Sequence, residues 1–597
     1  MVNLVISRDK NCLFKNEENV FLGNWCYHND NLIKSKVISS DFVKGDKEVD
    51  NDHKSIEKLQ DNIFPELVKI LNIHFNKNYS IRFYRILLEH WFNSFVEIIY
   101  TRTNQILKLS EKYENINCKI VSSEFFPLIT YETLEFLKAE ENDYWNQKLF
   151  SEIVSILNLP NIKQIKIEEI IKSPFLKKES SKNLLKNLII SINISFNNLI
   201  SKNNKFFFKD TGFSKFEQFK INLKLGQFIF LNKNLPFFKK IDIDNELREN
   251  LKKELINSYS LHSISQVQKV LLSLLFKCIP VCYLEGLNSM EEELQKSFYP
   301  NKPKLIFTNT SYATDELFKL WTAQHTEKGC KYVISQHGAI GWKKKSFYEK
   351  EFNAADHFLS WGKNKLIENS IKSFCTKYNK IFNLKKRNNK NLVFLMAAYD
   401  TFQYRGLRSS ILWRFDDSYD QYRKSVLKIY KNLQPEIKDR TIIRLYGWND
   451  KYHWLKNMRT DLSFWQSQVS NKKIENQNKD IFRTFSNSRL LVHTYDSTTI
   501  LESFVNNIPG IIIFNKHMYN QLNQDAKLNF DKLLSINILF LDYNKALNFI
   551  NKNWNDINEW WHKDHVQKVI EEFCEEYSIK PENSIKDFTS LLDSKII

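Results

Sequence analysis

The chain has 597 residues, with 42% hydrophobic and 14% aromatic residues, and 87 Lys and Arg against 69 Asp and Glu, a net charge of +18. That apolar content excludes a disordered or collagen-like chain, and the length predicts two or three domains. Few Gly (12) and Pro (11) argue against an all-β fold dense in tight turns, and the positive balance suits an anionic partner: a nucleotide, a nucleic acid or an acidic membrane surface.

The chain opens Met1-Val-Asn-Leu-Val-Ile-Ser-Arg-Asp-Lys10, without the charged-then-apolar pattern of a leader. No apolar run reaches the ~18 residues that span a bilayer, and the longest, Val270 to Tyr283, is broken by Lys277 and Pro280. The eight cysteines are scattered, with one close pair, Cys278 and Cys282, and no partner pair at zinc spacing. A cytoplasmic protein in a reducing compartment is expected, at most peripheral at the inner face of the membrane.

Residues 1–300 read as a mainly helical region. Ile56 to Phe75 and Ile81 to Leu107 repeat apolar residues at three-and-four spacing. In the second, Phe83, Ile86, Leu87, Trp91, Phe95, Ile98 and Ile99 share a broad face, predicting a core helix; a membrane-surface helix is the alternative.

From 301 to 385 strands alternate with helices: Lys304 to Thr308, a helix from Asp315 to Lys328 ending at Gly329, then Tyr332 to Ser335 and His357 to Trp361. Such alternation signals a parallel sheet with crossover helices. A polar stretch, Asn379 to Lys390, reads as an interdomain linker. A second α/β series fills 391–550, with strands Asn391 to Ala398, Thr441 to Tyr446, Leu490 to Thr494 and Gly510 to Phe514. Helices return over 551–597. The fold class is α/β, with ligand sites expected at strand carboxyl ends.

Two such ends carry the candidate chemistry. In Thr494-Tyr-Asp-Ser-Thr-Thr-Ile-Leu-Glu502 a strand stops and a helix starts, so Asp496, Ser497, Thr498 and Thr499 stand where helix N–H groups favour an anion. Glu502, a turn later, is positioned to accept hydrogen bonds from ribose hydroxyls. The plainer alternative is that Asp496 or Ser497 caps the helix. At Ser335-Gln-His-Gly338, His337 beside Gly338 suits a general base or a phosphate contact, with Glu349, Glu351 and Asp356 near enough in sequence to orient it. Arg444 precedes Tyr446-Gly447 at a strand end and suits a diphosphate; Arg405 and Arg408 are weaker candidates. Gly-rich dinucleotide, Walker and Gly-x-Ser-x-Gly motifs are missing from the sequence, and no metal-ligand set is recognisable, so no metal and no cofactor are expected.

Further blocks are Phe21 to Cys26, Ile81 to Leu87, Asp143 to Asn146, Tyr283-Leu-Glu-Gly286, Thr314 to Lys319, Ala355 to Gly362 and Asn553 to Trp561. In this order, with Gln336-His-Gly338 and Thr494 to Pro509, they make the chain resemble, nearly end to end, a bacterial family of transferases encoded in O-antigen and surface-carbohydrate gene clusters. That family looks like a divergent GT-B glycosyltransferase, two Rossmann-like domains facing a cleft, similar in outline to capsule Kdo transferases and glycerol-phosphate polymerising transferases. The resemblance implies His337 as catalytic base or phosphate contact, and Ser497, Thr498 and Glu502 as donor site. Family members often carry a second glycine where this chain has Ala339. The implied reaction is direct displacement from a nucleotide sugar, possible donors including a CMP-linked nonulosonic acid, onto a glycan or lipid-linked acceptor, with the helix start and Arg444 stabilising the leaving phosphate. Two alternatives stand: transfer of an alditol phosphate from a CDP-linked donor, and a non-catalytic module binding polyanions. Nucleic acid is not an expected partner, for want of a basic, aromatic-bearing RNA-binding motif.

Overall fold

The computed structural model describes residues 2–7, 9–14, 17–23, 26, 36–37, 46–140, 142–171, 202–227, 241–260, 264–342, 352–363, 367–378, 390–397, 418–446, 462–476 and 480–596. The expected linker at 379–390 lies almost wholly outside them.

Three sheets are parallel. The first contains β1 (Val2–Val5), β2 (Asn19–Phe21), β3 (Lys36–Val37), β4 (Ile116–Val121) and β5 (Ile162–Ile167), in the order β3-β2-β1-β4-β5. The second contains β6 (Phe206–Lys209), β7 (Leu305–Thr308), β8 (Lys331–Ser335), β9 (His357–Ser360) and β10 (Ser370–Lys372), in reverse chain order across the sheet. The third contains β11 (Asn391–Leu395), β12 (Thr441–Leu445), β13 (Ile474–Asn476), β14 (Ser488–His493), β15 (Gly510–Ile513) and β16 (Leu539–Phe540). Its order, β13-β12-β11-β14-β15-β16, starts in the middle, winds to one edge and returns to wind to the other. That is the doubly wound order, whose direction changes between β11 and β14.

The helices used below are α1 (Asp46–Phe75), α2 (Ile81–Lys112), α3 (Glu316–Thr326), α4 (Ser418–Lys431), α5 (Thr498–Val505), α6 (Gln524–Ser535), α7 (Asp564–Tyr577) and α8 (Ser584–Lys595). Ser80 caps α2 by accepting from the Phe83 N–H. The α2 stripe is wholly buried, so it is core. No described helix is long and apolar enough to cross a membrane. The region to residue 300, expected as mainly helical, also holds the first sheet. Its strands are two to six residues long, and α1 and α2 fill the chain between β3 and β4, so no strand pattern repeats there.

The described residues form two compact units: those of 2–209 with 226–332, and those of 210–225 with 333–397 and 418–596. The described residues of 333–378, which include β9 and β10 of the second sheet, fall in the same compact unit as the third sheet. In the first unit a buried ionic network ties α3 down. Lys319 Nζ lies 2.8 Å from Glu316 and donates to Tyr283 at 2.5 Å, while Lys209 pairs with Asp315.

In the second unit the third sheet is buried on both faces, with alternating side chains. Leu392, Phe394, Leu490 and Val492 join one core with Trp342, Phe530 and Phe573, while Val393, Leu395 and Leu491 pack with Phe485 and Ile508 on the other face. The C-terminal end of α7 closes over β9. A Cβ at Gly362 would stand 2.0 Å from the Glu576 carbonyl oxygen, and Ile579 N–H donates to Trp361 O at 2.6 Å. Among the described cysteines, all eight are free thiols and none is paired.

Candidate active site of the second unit

β11 and β14 end side by side where the winding of the third sheet reverses, the place where doubly wound sheets bind ligands. Thr494 donates to Leu395 O at 2.7 Å and meets the Tyr422 hydroxyl of α4 at 2.5 Å; that hydroxyl in turn accepts from Ala397 N–H at 3.0 Å. One phenol therefore clamps both strand ends. Ser497 occupies the N-cap position of α5 in extended backbone, yet its hydroxyl makes no cap bond. It pairs with Thr499, whose hydroxyl lies 3.3 Å from His493 Nδ1. Capping by Ser497, the plainer alternative, is thus not what its side chain does, and the first N–H groups of α5 are left without that acceptor. His493 is fully buried, with Nε2 3.1 Å from Ser503 Oγ, and burial lowers its pKa to about 3.

The other strand end is β8. Gln336 is buried and pins the turn: its N–H donates to Leu359 O at 2.8 Å, its amide oxygen accepts from Trp361 N–H at 2.8 Å, and its amide nitrogen donates to Gly338 O at 2.7 Å. Ala339 N–H then donates to Thr498 Oγ1 at 3.3 Å. A Cβ on Gly338 would stand 2.8 Å from the same oxygen, so any other residue there must push the Thr498 hydroxyl aside. Neither Gly338 nor Ala339 has positive φ, which is why alanine is accommodated at the second position. His337 keeps an open face to solvent. Protein packed around the ring, and then the Lys377 ammonium, lower its pKa to about 4; the open face tempers that fall.

Lys377 also reaches Glu502 Oε1 at 3.6 Å and lies over the Trp361 ring, 5.9 Å from its centroid. Nothing in the sequence distinguishes it from the many other lysines. Glu502, buried one turn into α5, has its pKa raised by burial and partly restored by Lys377. Arg444 is brought to the same end of the sheet, but its guanidinium is committed to Glu475 and to Thr484 at 2.7 Å. It lends Glu502 a field and does not present a free fork to a phosphate. Tyr446, past the end of β12, sets its ring edge-on to Tyr495, centroids 6.5 Å apart. Asp496 is half-buried between Tyr495 and Ser497.

Asp356 is a correction. It precedes β9, and β9 runs parallel to β8 with His357 beside Val333. It therefore stands at the amino edge of the sheet, level with Tyr332 and roughly 10 Å at about 3.3 Å per residue from the Ser335 end of β8 beyond which His337 lies, and does not orient that ring. Glu351, like Glu349, Arg405, Arg408 and Gly447, lies outside the described residues. Among the described residues no group of three or more His, Cys, Asp or Glu is arranged to hold a metal ion.

The family model described as LIC12162 family transferase matches residues 2–592. No curated protein matches. Among solved structures, a mutant O-GlcNAc transferase from Thermobaculum terrenum is similar at 10% identity and a TM-score of 0.29, over 55% of this chain and 58% of that one. The chain thus matches little more than half the length of that structure. By the family match, the chain belongs to the LIC12162 family of transferases.

Proposed function

We propose that this LIC12162 family transferase moves a glycosyl unit from a nucleotide-activated donor to a hydroxyl of a surface-polysaccharide or lipid-linked glycan, in the manner of GT-B enzymes. The observation that carries the proposal is the meeting of the His337-Gly338-Ala339 turn with Thr498 at the start of α5. It joins a base to an anion-favouring helix start at the switch point of a doubly wound sheet.

In this reading the neutral His337 imidazole takes the proton of the acceptor hydroxyl as that oxygen attacks the anomeric carbon. The bond to the donor phosphate breaks, and the first N–H groups of α5, which Ser497 does not cap, stabilise the departing oxygen. Packing around the ring, and after it Lys377, holds the free imidazole acidic; negative charge arriving beside Lys377 offsets the lysine's share when the donor is bound. Glu502 binds ribose hydroxyls. In its narrower form the donor is CMP-linked and the work is done at the cytoplasmic face of the membrane.

The test is a thermal-shift screen of purified protein against CMP, CDP, UMP, UDP, GDP and dTDP. A nucleotide at a hundred times its Kd adds about 2.7 kcal/mol of stability. One nucleotide is expected to shift the melting temperature, and Ser497→Ala/Thr498→Ala to abolish that shift. Silence with all six nucleotides would sink the proposal, and turnover of CDP-glycerol in place of a nucleotide sugar would convert it to phosphoryl transfer.

A further inference from the structure

Lys377 stands beside Glu502 and the Trp361 ring. Its side chain is about two-thirds buried, and among the described residues the carboxylate within salt-bridge reach is that of Glu502, 3.6 Å away, longer than a good ion pair. Its backbone N–H is held by the Cys375 sulfur, which anchors the residue just after β10. Two buried polar groups lie near it, one in space and one in the chain. The Trp361 indole, whose ring lies under the ammonium, is fully buried, and Thr376, its chain neighbour, is 9% exposed. Among the described residues, neither the Trp361 Nε1–H nor the Thr376 hydroxyl has a hydrogen-bond partner. Buried polar groups are rarely left so, and an unpaired group in a native structure calls for a ligand or a water.

We propose that Lys377, with Trp361 Nε1–H and the Thr376 hydroxyl beside it, forms a subsite for an anionic oxygen of the substrate, with Glu502 as the resting counter-ion that the anion displaces. The subsite rests on the transferase reading of this site and deepens it. Arg444, the cation that the sequence offers for this task, is taken by Glu475 and Thr484, whereas Lys377 is held by one long contact. The oxygen belongs to a phosphate of the donor or to a carboxylate on the transferred sugar. Lys377 is a binding residue in either case, and through its charge it adds to the lowering that burial imposes on His337.

The experiment measures Kd by calorimetry for CMP, CDP, UDP, inorganic phosphate and free N-acetylneuraminic acid. It compares wild type with Lys377→Met, Lys377→Arg and Glu502→Gln, alongside NMR titration of His337 in protein carrying labelled histidine. Lys377→Met is expected to weaken the bound anion about tenfold or more and Lys377→Arg to retain most of the affinity, while Glu502→Gln is expected to retain or tighten binding of inorganic phosphate, which has no ribose for Glu502 to hold. The His337 midpoint is expected to rise in Lys377→Met and to fall in Glu502→Gln, a readout that a purely structural lysine would not move. Loss of phosphate and nucleotide binding assigns the oxygen to phosphate; loss with N-acetylneuraminic acid alone assigns it to carboxylate. Phosphate binding that needs Lys377 while no nucleotide binds would leave the subsite standing and remove the nucleotide-sugar reading. Unchanged affinities in Lys377→Met, or no anion bound by wild type, would overturn the subsite.

Discussion

At the scale of single residues, the contact between Gly338 and Thr498 is the most constrained feature of the site. A methyl at 338 must displace a hydroxyl 2.8 Å away that also receives the Ala339 N–H. Gly338→Ala is expected to abolish the nucleotide-induced thermal shift while lowering the melting temperature of the free protein by only a few degrees, a cost of about 1–2 kcal/mol. An unaltered nucleotide shift would show that the turn is not part of the binding surface. His337, Gly338 and Thr498 were legible in the sequence because each follows directly on an apolar strand, so chain position alone set them at a sheet edge. Lys377 was not legible: its importance comes from Glu502, far along the chain, and from Trp361. Arg444 was legible as a strand-end cation, but its commitment to Glu475 depends on the register of β12 with β13, which no local pattern encodes. Asp356 was drawn in by nearness in sequence, and the direction of β9 carries it away.

Among elements, those of the third sheet are the ones read closely from sequence. Burial on both faces makes β11, β12, β14 and β15 continuous apolar runs, and their expected limits differ from the observed ones by a few residues. The first sheet escaped notice for the opposite reason: Asn19–Phe21 and Lys36–Val37 are too short to show a period. The reversal of winding at β11 and β14 also lies beyond sequence, since it is a property of strand order. What locks it is the Tyr422 hydroxyl between Thr494 and Ala397. Tyr422→Phe removes both bonds within a buried site and is expected to cost about 1–3 kcal/mol. Chemical denaturation measures this; a loss under a few tenths would mean that the strand ends are held by their ladder alone.

For the whole molecule, the buried histidines set the acid limit of stability. His493 in the second unit has its pKa lowered to about 3, and His325 in the first to about 4, each chiefly by burial. Their unfolded values lie near 6.5. Between that value and the folded one, the unfolded chain binds protons that the folded chain refuses. Stability is therefore full above pH 6.5 and falls as the pH drops, by about 1.4 kcal/mol per pH unit for each histidine. Melting temperatures are expected to fall steadily from pH 6.5 to 4.5, and His493→Gln to flatten that slope for the transition of the second unit. An identical slope in the variant would assign the acid sensitivity to other groups. In the first unit, the blocks Tyr283 to Gly286 and Thr314 to Lys319 supply the buried network around Lys319. Sequence marked them out, but only the fold shows that they serve cohesion.

The closure of α7 over Gly362 has a consequence in time. The carbonyl that leaves no room for a side chain at 362 belongs to Glu576, some two hundred residues further along the chain. During synthesis, at about 5–20 residues per second, β9 emerges roughly ten to forty seconds before its covering helix exists. Through that interval Trp361 and Trp342, both buried in the finished fold, have yet to meet the partners that α7 and the segment after it supply. The nascent second unit therefore passes through an exposed, half-built state on the ribosome, and it is there that holding chaperones have most to offer this chain.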